Sequence, residues 1–201
     1  MTFSLTHMTK ARLSGVNVRS EHHGGELVPA VDVKLSIDAM NSILFAFDPM
    51  LQRALYCRAI EGAQREIEGI PGACEFPNLR FPKLDMPLRW TLDATGYKLT
   101  VDYGLGGDSN LVLESCTIGD FKLTPKEGGT VLVGFRVQKA DIAEDLIGKL
   151  ATLVQHDVQI TLEPPEGTNP LPFDSDTPTD ADDEDDFPVG SPEAAFAATQ
   201  A

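Results

Sequence analysis

Arg80, Lys83, Arg89, Trp90, Tyr97, Lys98 and Tyr103 interleave cations with aromatic rings in one short stretch of the chain. That mixture can do one kind of chemistry well: cations neutralise the phosphates of a single nucleic-acid strand while rings stack on its bases. Upstream, Lys10, Arg12, Arg19 and Lys34 can add positive charge to the same surface. Parity supplies a competing account. Trp90, Tyr97 and Tyr103 alternate in step with Leu92, Leu99 and Val101, and Arg89 and Lys98 with Asp93 and Asp102, which on this stretch alone reads as a core face behind a solvated one.

Other chemistries find less support. His22 and His23 sit in the Gly-rich segment Glu21-His22-His23-Gly24-Gly25-Glu26, but neighbours on an extended chain point apart and no ligand set of recognisable spacing accompanies them. His7 and His156 are isolated. No Ser or Cys sits in a nucleophile motif with a base and an orienting group. The Gly104-Leu105-Gly106-Gly107-Asp108 loop lacks the GxxxxGK[ST] pattern and precedes a strand, so no helix N-terminus would face a phosphate. Cys57, Cys74 and Cys116 are odd in number without CxxC spacing, which predicts reduced, mostly buried thiols. The expectation is a protein that is not an enzyme, with no catalytic residue, metal or cofactor.

The formal charge of −15 is unevenly spread: residues 166–201 hold ten of the 31 carboxylates and no Lys or Arg, leaving 21 acids against 16 bases in residues 1–165. The acidic segment, rich in Asp, Pro, Thr, Ser and Ala, offers too little apolar surface to offset chain entropy and is expected to be a disordered tail on a single folded domain spanning 1–165. Its run Asp182-Asp183-Glu184-Asp185-Asp186-Phe187 is the predicted contact for basic protein partners. No apolar run reaches the length of a membrane span and the opening residues lack a signal-peptide pattern, so the chain reads as intracellular and cytoplasmic, in a host cell if phage-encoded, without membrane contact.

The elements that must position the cations are mostly strands. Val31, Val33, Leu35 and Ile37 alternate with Asp32, Lys34, Ser36 and Asp38. Upstream, apolar parity switches between Ala11/Leu13 and Val16/Val18, predicting a bulge at Ser14-Gly15 within a hairpin. Asp48-Pro49 has the chemistry of a helix start, followed by helical spacing through Arg58 and a Glu61/Arg65 pair to Gly69. Leu88–Asp93 and Tyr97–Tyr103 predict a second hairpin turning at Ala94-Thr95-Gly96. Strands follow over Leu111–Leu123, bent at Gly119, and Val131–Val137. A short helix is expected after the capping-box spacing Asp141/Glu144, and a last strand over Val154–Leu162. The predicted class is mainly β (β-rich α+β): a bent antiparallel sheet or OB-like, partly closed barrel with one longer and one short helix.

A folded β domain, a Pro-rich linker and an Asp-rich stretch containing Phe, from Asp174 to Pro188, together resemble the acidic-tailed single-stranded-DNA-binding proteins of bacteria and phages. The resemblance implies non-specific binding of single-stranded DNA in replication or recombination, with a tail that competes for the DNA groove and recruits partners. Here Phe187-Pro188 is followed by thirteen further residues, whereas the bacterial run ends in an apolar residue at the extreme C-terminus, so recognition through a terminal carboxylate is not implied. The segments Glu21–Gly25 and Ala30-Val31-Asp32 also resemble small uncharacterised phage proteins. Two alternatives stand beside this: an acidic interaction or inhibitor protein, imitating DNA charge or acting as an adaptor, and a non-enzymatic structural β-sandwich. Homo-oligomerisation through uncovered strand edges is compatible with all three.

Overall fold

The computed structural model describes residues 2–58, 74–84, 87–104, 109–165 and 167. The longest strands carry the strictest alternation: β1 (Leu5–His23) and β2 (Glu26–Met40) form one hairpin. Its turn is only Gly24-Gly25, with φ of 57° and 100°, the positive angles that a two-residue turn matching strand twist requires. The strands therefore run on through His22 and His23, where a longer loop was expected. The bulge falls where parity switched, between Leu13 and Gly15.

After β2 comes a 3-10 helix, Asn41–Ala46, and then the Asp48-Pro49 turn, whose carboxylate accepts from the Met50 amide at 2.7 Å. The helix that follows, α1 (Leu51–Leu55), starts two residues later than expected, with Met50 as its N-cap, and ends after five residues, contrary to the spacing that continued to Gly69. Tyr56 turns extended and begins β3 (Tyr56–Cys57), paired with β4 (Asn78–Leu79). Its buried hydroxyl donates to the Thr130 carbonyl at 2.5 Å and accepts from the Lys126 amide at 3.1 Å, a tertiary anchor that outweighs local helix propensity. Residues 59–73, including the Glu61/Arg65 pair, lie outside the described residues.

The second predicted hairpin is corrected. β5 (Leu88–Trp90) and β6 (Ala94–Val101) do not pair with each other; both pair antiparallel with β7 (Leu111–Lys126), β5 at Leu88↔Leu123 and β6 at Ala94↔Ile118. They are two lengths of one broken strand on the same edge of β7. The chain at Gly96 does not reverse but bulges, with the register slipping between Thr95 and Tyr97. β7 then hairpins to β8 (Thr130–Ala140), bulging between Gly119 and Lys122. Helix α2 (Glu144–Thr152) starts without a side-chain cap, because Asp141, at φ 53°, sits two residues before the N-cap Ala143 and cannot act as predicted. β9 (Asp157–Glu163) completes the fold.

Strand order closes on itself as β1-β2-β8-β7-β6-β9 and back to β1, a six-stranded antiparallel barrel with β5 as the extra strand. Closure goes beyond the partly closed barrel expected, within the same β-rich, OB-like class. β9-β6-β7-β8 has the Greek-key order, the last strand returning beside the first, and the β1–β2 hairpin fills the remaining gap. Inward residues of every barrel strand form one core. One end is plugged by rings: Phe3 packs against Phe121 at 5.1 Å and Phe47 at 5.5 Å, and Phe47 against Trp90 at 6.1 Å. Among the described residues no helix is long and apolar enough to cross a membrane.

Candidate nucleic-acid interface

Polar positions of β5, β7, β8 and β2 face outward, and strand pairing sets their cations side by side. Arg89 on β5 stands directly opposite Lys122 on β7; Lys122 opposes Gly134 on β8, Gly134 opposes Ser36 on β2, and Ser36 opposes Arg12 on β1. In the adjoining row Arg136 on β8 stands directly opposite Lys34 on β2. Directly opposed like charges on an antiparallel pair are destabilising, and this wall carries two such pairs, Arg89/Lys122 and Lys34/Arg136.

Few carboxylates relieve them. Asp120 reaches Arg136 at 3.6 Å, and among the described residues Arg89, Lys122 and Lys34 have no ion-pair partner. The Arg136 Nε is buried without a hydrogen-bond acceptor. Asp93 lies over Gly119, its carboxylate occupying the space where any side chain would begin, which explains why the β7 bulge carries glycine there. The flanks of the wall are balanced. Lys126 pairs with Asp38 at 2.5 Å, Arg19 with Asp32 at 3.1 Å and also with Glu21, and Lys10 and Arg12 share Asp157 at 2.9 and 3.4 Å. The Lys10 ammonium, hydrogen-bonded to Asp157, holds that carboxyl below its usual range, with Arg12 assisting.

Of the predicted binding residues, Lys34 and Arg89 lie on this wall, while Arg12, at its β1 flank, is held by Asp157. Arg19 lies on the same sheet but is consumed by its two carboxylates. Lys98 is elsewhere, on β6 facing Glu163 of β9 at 3.7 Å. Arg80 is structural: its guanidinium donates to the carbonyls of Arg53 and Tyr56 at 2.9 and 3.4 Å. Lys83 sits in a turn beside the exposed Phe81 and Leu84. The rings follow their parity. Tyr97 is 3% exposed, its phenol pushed up by burial, and has no face to offer a base; it leaves the set. Trp90 is half-buried against Phe47, and Tyr103 is half-buried with its hydroxyl 3.4 Å from Thr152 Oγ1.

Lys122 and Arg136 escaped the sequence reading. Both occupy polar positions of alternating strands, so their outward direction was available, but their company with Arg89 and Lys34 depends on strand pairing that spacing does not encode. The acidic run Asp182–Phe187 and the rest of the predicted tail beyond Gly167 lie outside the described residues, as do residues 105–108 of the Gly-rich loop. Cys116 is buried and its thiol pushed up to about 11 by that burial; Cys57 and Cys74 are half-buried. His22 now sits in a strand opposite Leu27. Among the described residues no three His, Cys, Asp or Glu side chains group closely enough to hold a metal ion. Comparison with protein families, curated proteins and solved structures gave no match.

Proposed function

We propose that the protein binds single-stranded DNA non-specifically through its phosphates, along the outer wall formed by β5, β7, β8 and β2. The observation that carries this reading is the pair of directly opposed cation pairs, Arg89/Lys122 and Lys34/Arg136, which repel in the free protein and are relieved by a row of phosphates laid across them. Stacking has a smaller part than the sequence suggested, since Trp90, Tyr97 and Tyr103 serve the core or its margin. Recognition is therefore indifferent to base identity. The acidic segment around Asp182–Asp186 competes for the same wall in this scheme and offers its carboxylates to basic partners when DNA displaces it.

Fluorescence anisotropy with a labelled oligothymidine tests this in the full-length chain. Affinity should fall with rising salt, with a log–log slope of about −0.7 per phosphate neutralised, and the slope should shrink by roughly that amount in Lys122→Gln. Converting the Asp182–Asp186 acids to their amides should tighten binding. Absence of binding at low salt by that amide variant, or preference for a duplex of equal length, sinks the proposal.

A further inference from the structure

Where the two cation rows meet, the wall is hollowed. Ser14, Lys34, Ser36, Asp120, Lys122, Gly134 and Arg136 surround a depression of about 170 Å³ over the backbone of β2 and β8. It is hollow because Gly134, flanked in register by Ser36 and Lys122, contributes no side chain. The volume is below the roughly 300 Å³ at which pockets begin to take whole drug-sized molecules, and the lining is too cationic for an apolar group. Three donors of its lining have no partner among the described residues. The ammonium groups of Lys34 and Lys122 have no carboxylate among the described residues, and the Ser36 hydroxyl makes no hydrogen bond among them. Ser14 is already committed, donating to the Lys34 carbonyl at 3.0 Å. Asp120 is the lone acid in the lining and stands 3.6 Å from Arg136, leaving an excess of positive charge.

We infer that this depression is a built site for a single phosphate group, not merely part of a diffuse positive surface. A tetrahedral oxyanion between β2, β7 and β8 accepts from Lys34, Lys122 and Ser36 together and screens the two opposed cations Lys34 and Arg136 from each other. Asp120, on the rim, stays within 3.6 Å of the Arg136 guanidinium. The inference rests on the proposed function only in where the phosphate comes from: a DNA strand would seat one phosphodiester here and thereby set its register on the wall.

The test is an NMR titration of the full-length protein with inorganic phosphate, against chloride at equal ionic strength. Saturable shifts should centre on the amides of Ser36, Lys122 and Gly134. Gly134→Val is the steric probe. The three nearest atoms to a Cβ at this position, Lys122 Cβ, Lys122 O and Leu35 O, lie at an ordinary contact distance of 3.7–3.9 Å, and a β-branched residue suits a strand, so the fold should persist while the hollow is filled. Phosphate affinity should drop at least about tenfold in Gly134→Val and in Lys122→Gln, the loss of one charge-assisted hydrogen bond or more. Shifts reproduced by chloride, or saturable shifts that persist in both variants, overturn the site. Should Gly134→Val fail to fold, Lys122→Gln and Lys34→Gln, both at exposed positions, decide it alone. Phosphate binding without oligonucleotide binding would sink the DNA reading and keep the pocket. Oligonucleotide binding without any phosphate response would do the reverse.

Discussion

Two polar regions of this barrel are built on opposite terms. At the end carrying the 3-10 helix, the long polar side chains answer one another and the backbone: Asn41 donates to the Phe76 carbonyl at 2.8 Å and accepts from Gln52 Nε2 at 2.8 Å, while its backbone amide bonds the Gly129 carbonyl, also at 2.8 Å. Tyr56 bridges Thr130 and Lys126, and Arg80 closes on two carbonyls. On the outer wall, cations face cations and a guanidinium nitrogen has no acceptor. Buried polar groups in a folded protein are normally paired, so the first region is what the fold needs and the second is what the fold leaves open. Arg80 and Arg136 are the same residue type with opposite meanings, and only their partners tell them apart.

The contrast is broken most severely at Asn41. Asn41→Ala strands the Gln52 amide and the Phe76 carbonyl in a buried setting, and should cost about 3 kcal/mol in urea unfolding. Oligonucleotide affinity of the remaining folded protein should be unchanged. A loss below about 1 kcal/mol, or an affinity that falls with it, would mean that the two regions are not separable in this way.

Tyr56 sharpens the same comparison through pH. Tyr56→Phe removes both hydroxyl contacts and should cost about 1–3 kcal/mol near neutrality. In the parent protein, burial pushes the Tyr56 phenol from its ordinary 10.0 up to about 12, against the Lys126 amide, which lowers it. Because the folded state holds the proton more tightly, this stabilisation is complete below about pH 10 and is lost as pH climbs toward about 12. Urea midpoints across that interval should fall less steeply in Tyr56→Phe than in the parent. Parallel curves would remove Tyr56 as the titrating anchor.

Which parts of this were legible in the residues follows from the range of the forces involved. Alternation of Val31 to Ile37 and the parity switch at Ser14-Gly15 are local, and both strand and bulge stand where they were read. The Asp48-Pro49 turn was legible, its carboxylate bonding the Met50 amide, but α1 starts two residues later than expected, at Leu51 with Met50 as its N-cap, and its end was not legible, because there Tyr56 answers to Thr130. The apparent hairpin at Ala94–Gly96 misled because a Gly with positive φ serves a bulge as readily as a turn. Likewise the cations Arg89 and Lys34 were visible one by one, but the wall they make with Lys122 and Arg136 exists only once β5 lies on β7 and β8 on β2.

The finest test sets stability against binding at one position. Lys34 stands directly opposite Arg136, and Lys34→Glu would put a carboxylate where a like charge now repels. If the wall is kept cationic for a ligand, this variant should be more stable than the parent by about 0.5 kcal/mol, within the range of cross-strand charge pairs, while its affinity for oligothymidine falls. Paired urea unfolding and anisotropy measurements on the same preparation read both quantities. A variant that loses stability as well as affinity would show Lys34 to be part of the fold's own pairing, and the wall would then have to be counted with the answered groups at the other end of the barrel. A gain in stability with undiminished affinity would leave the opposed cations as a tolerated surface repulsion and move the binding face elsewhere.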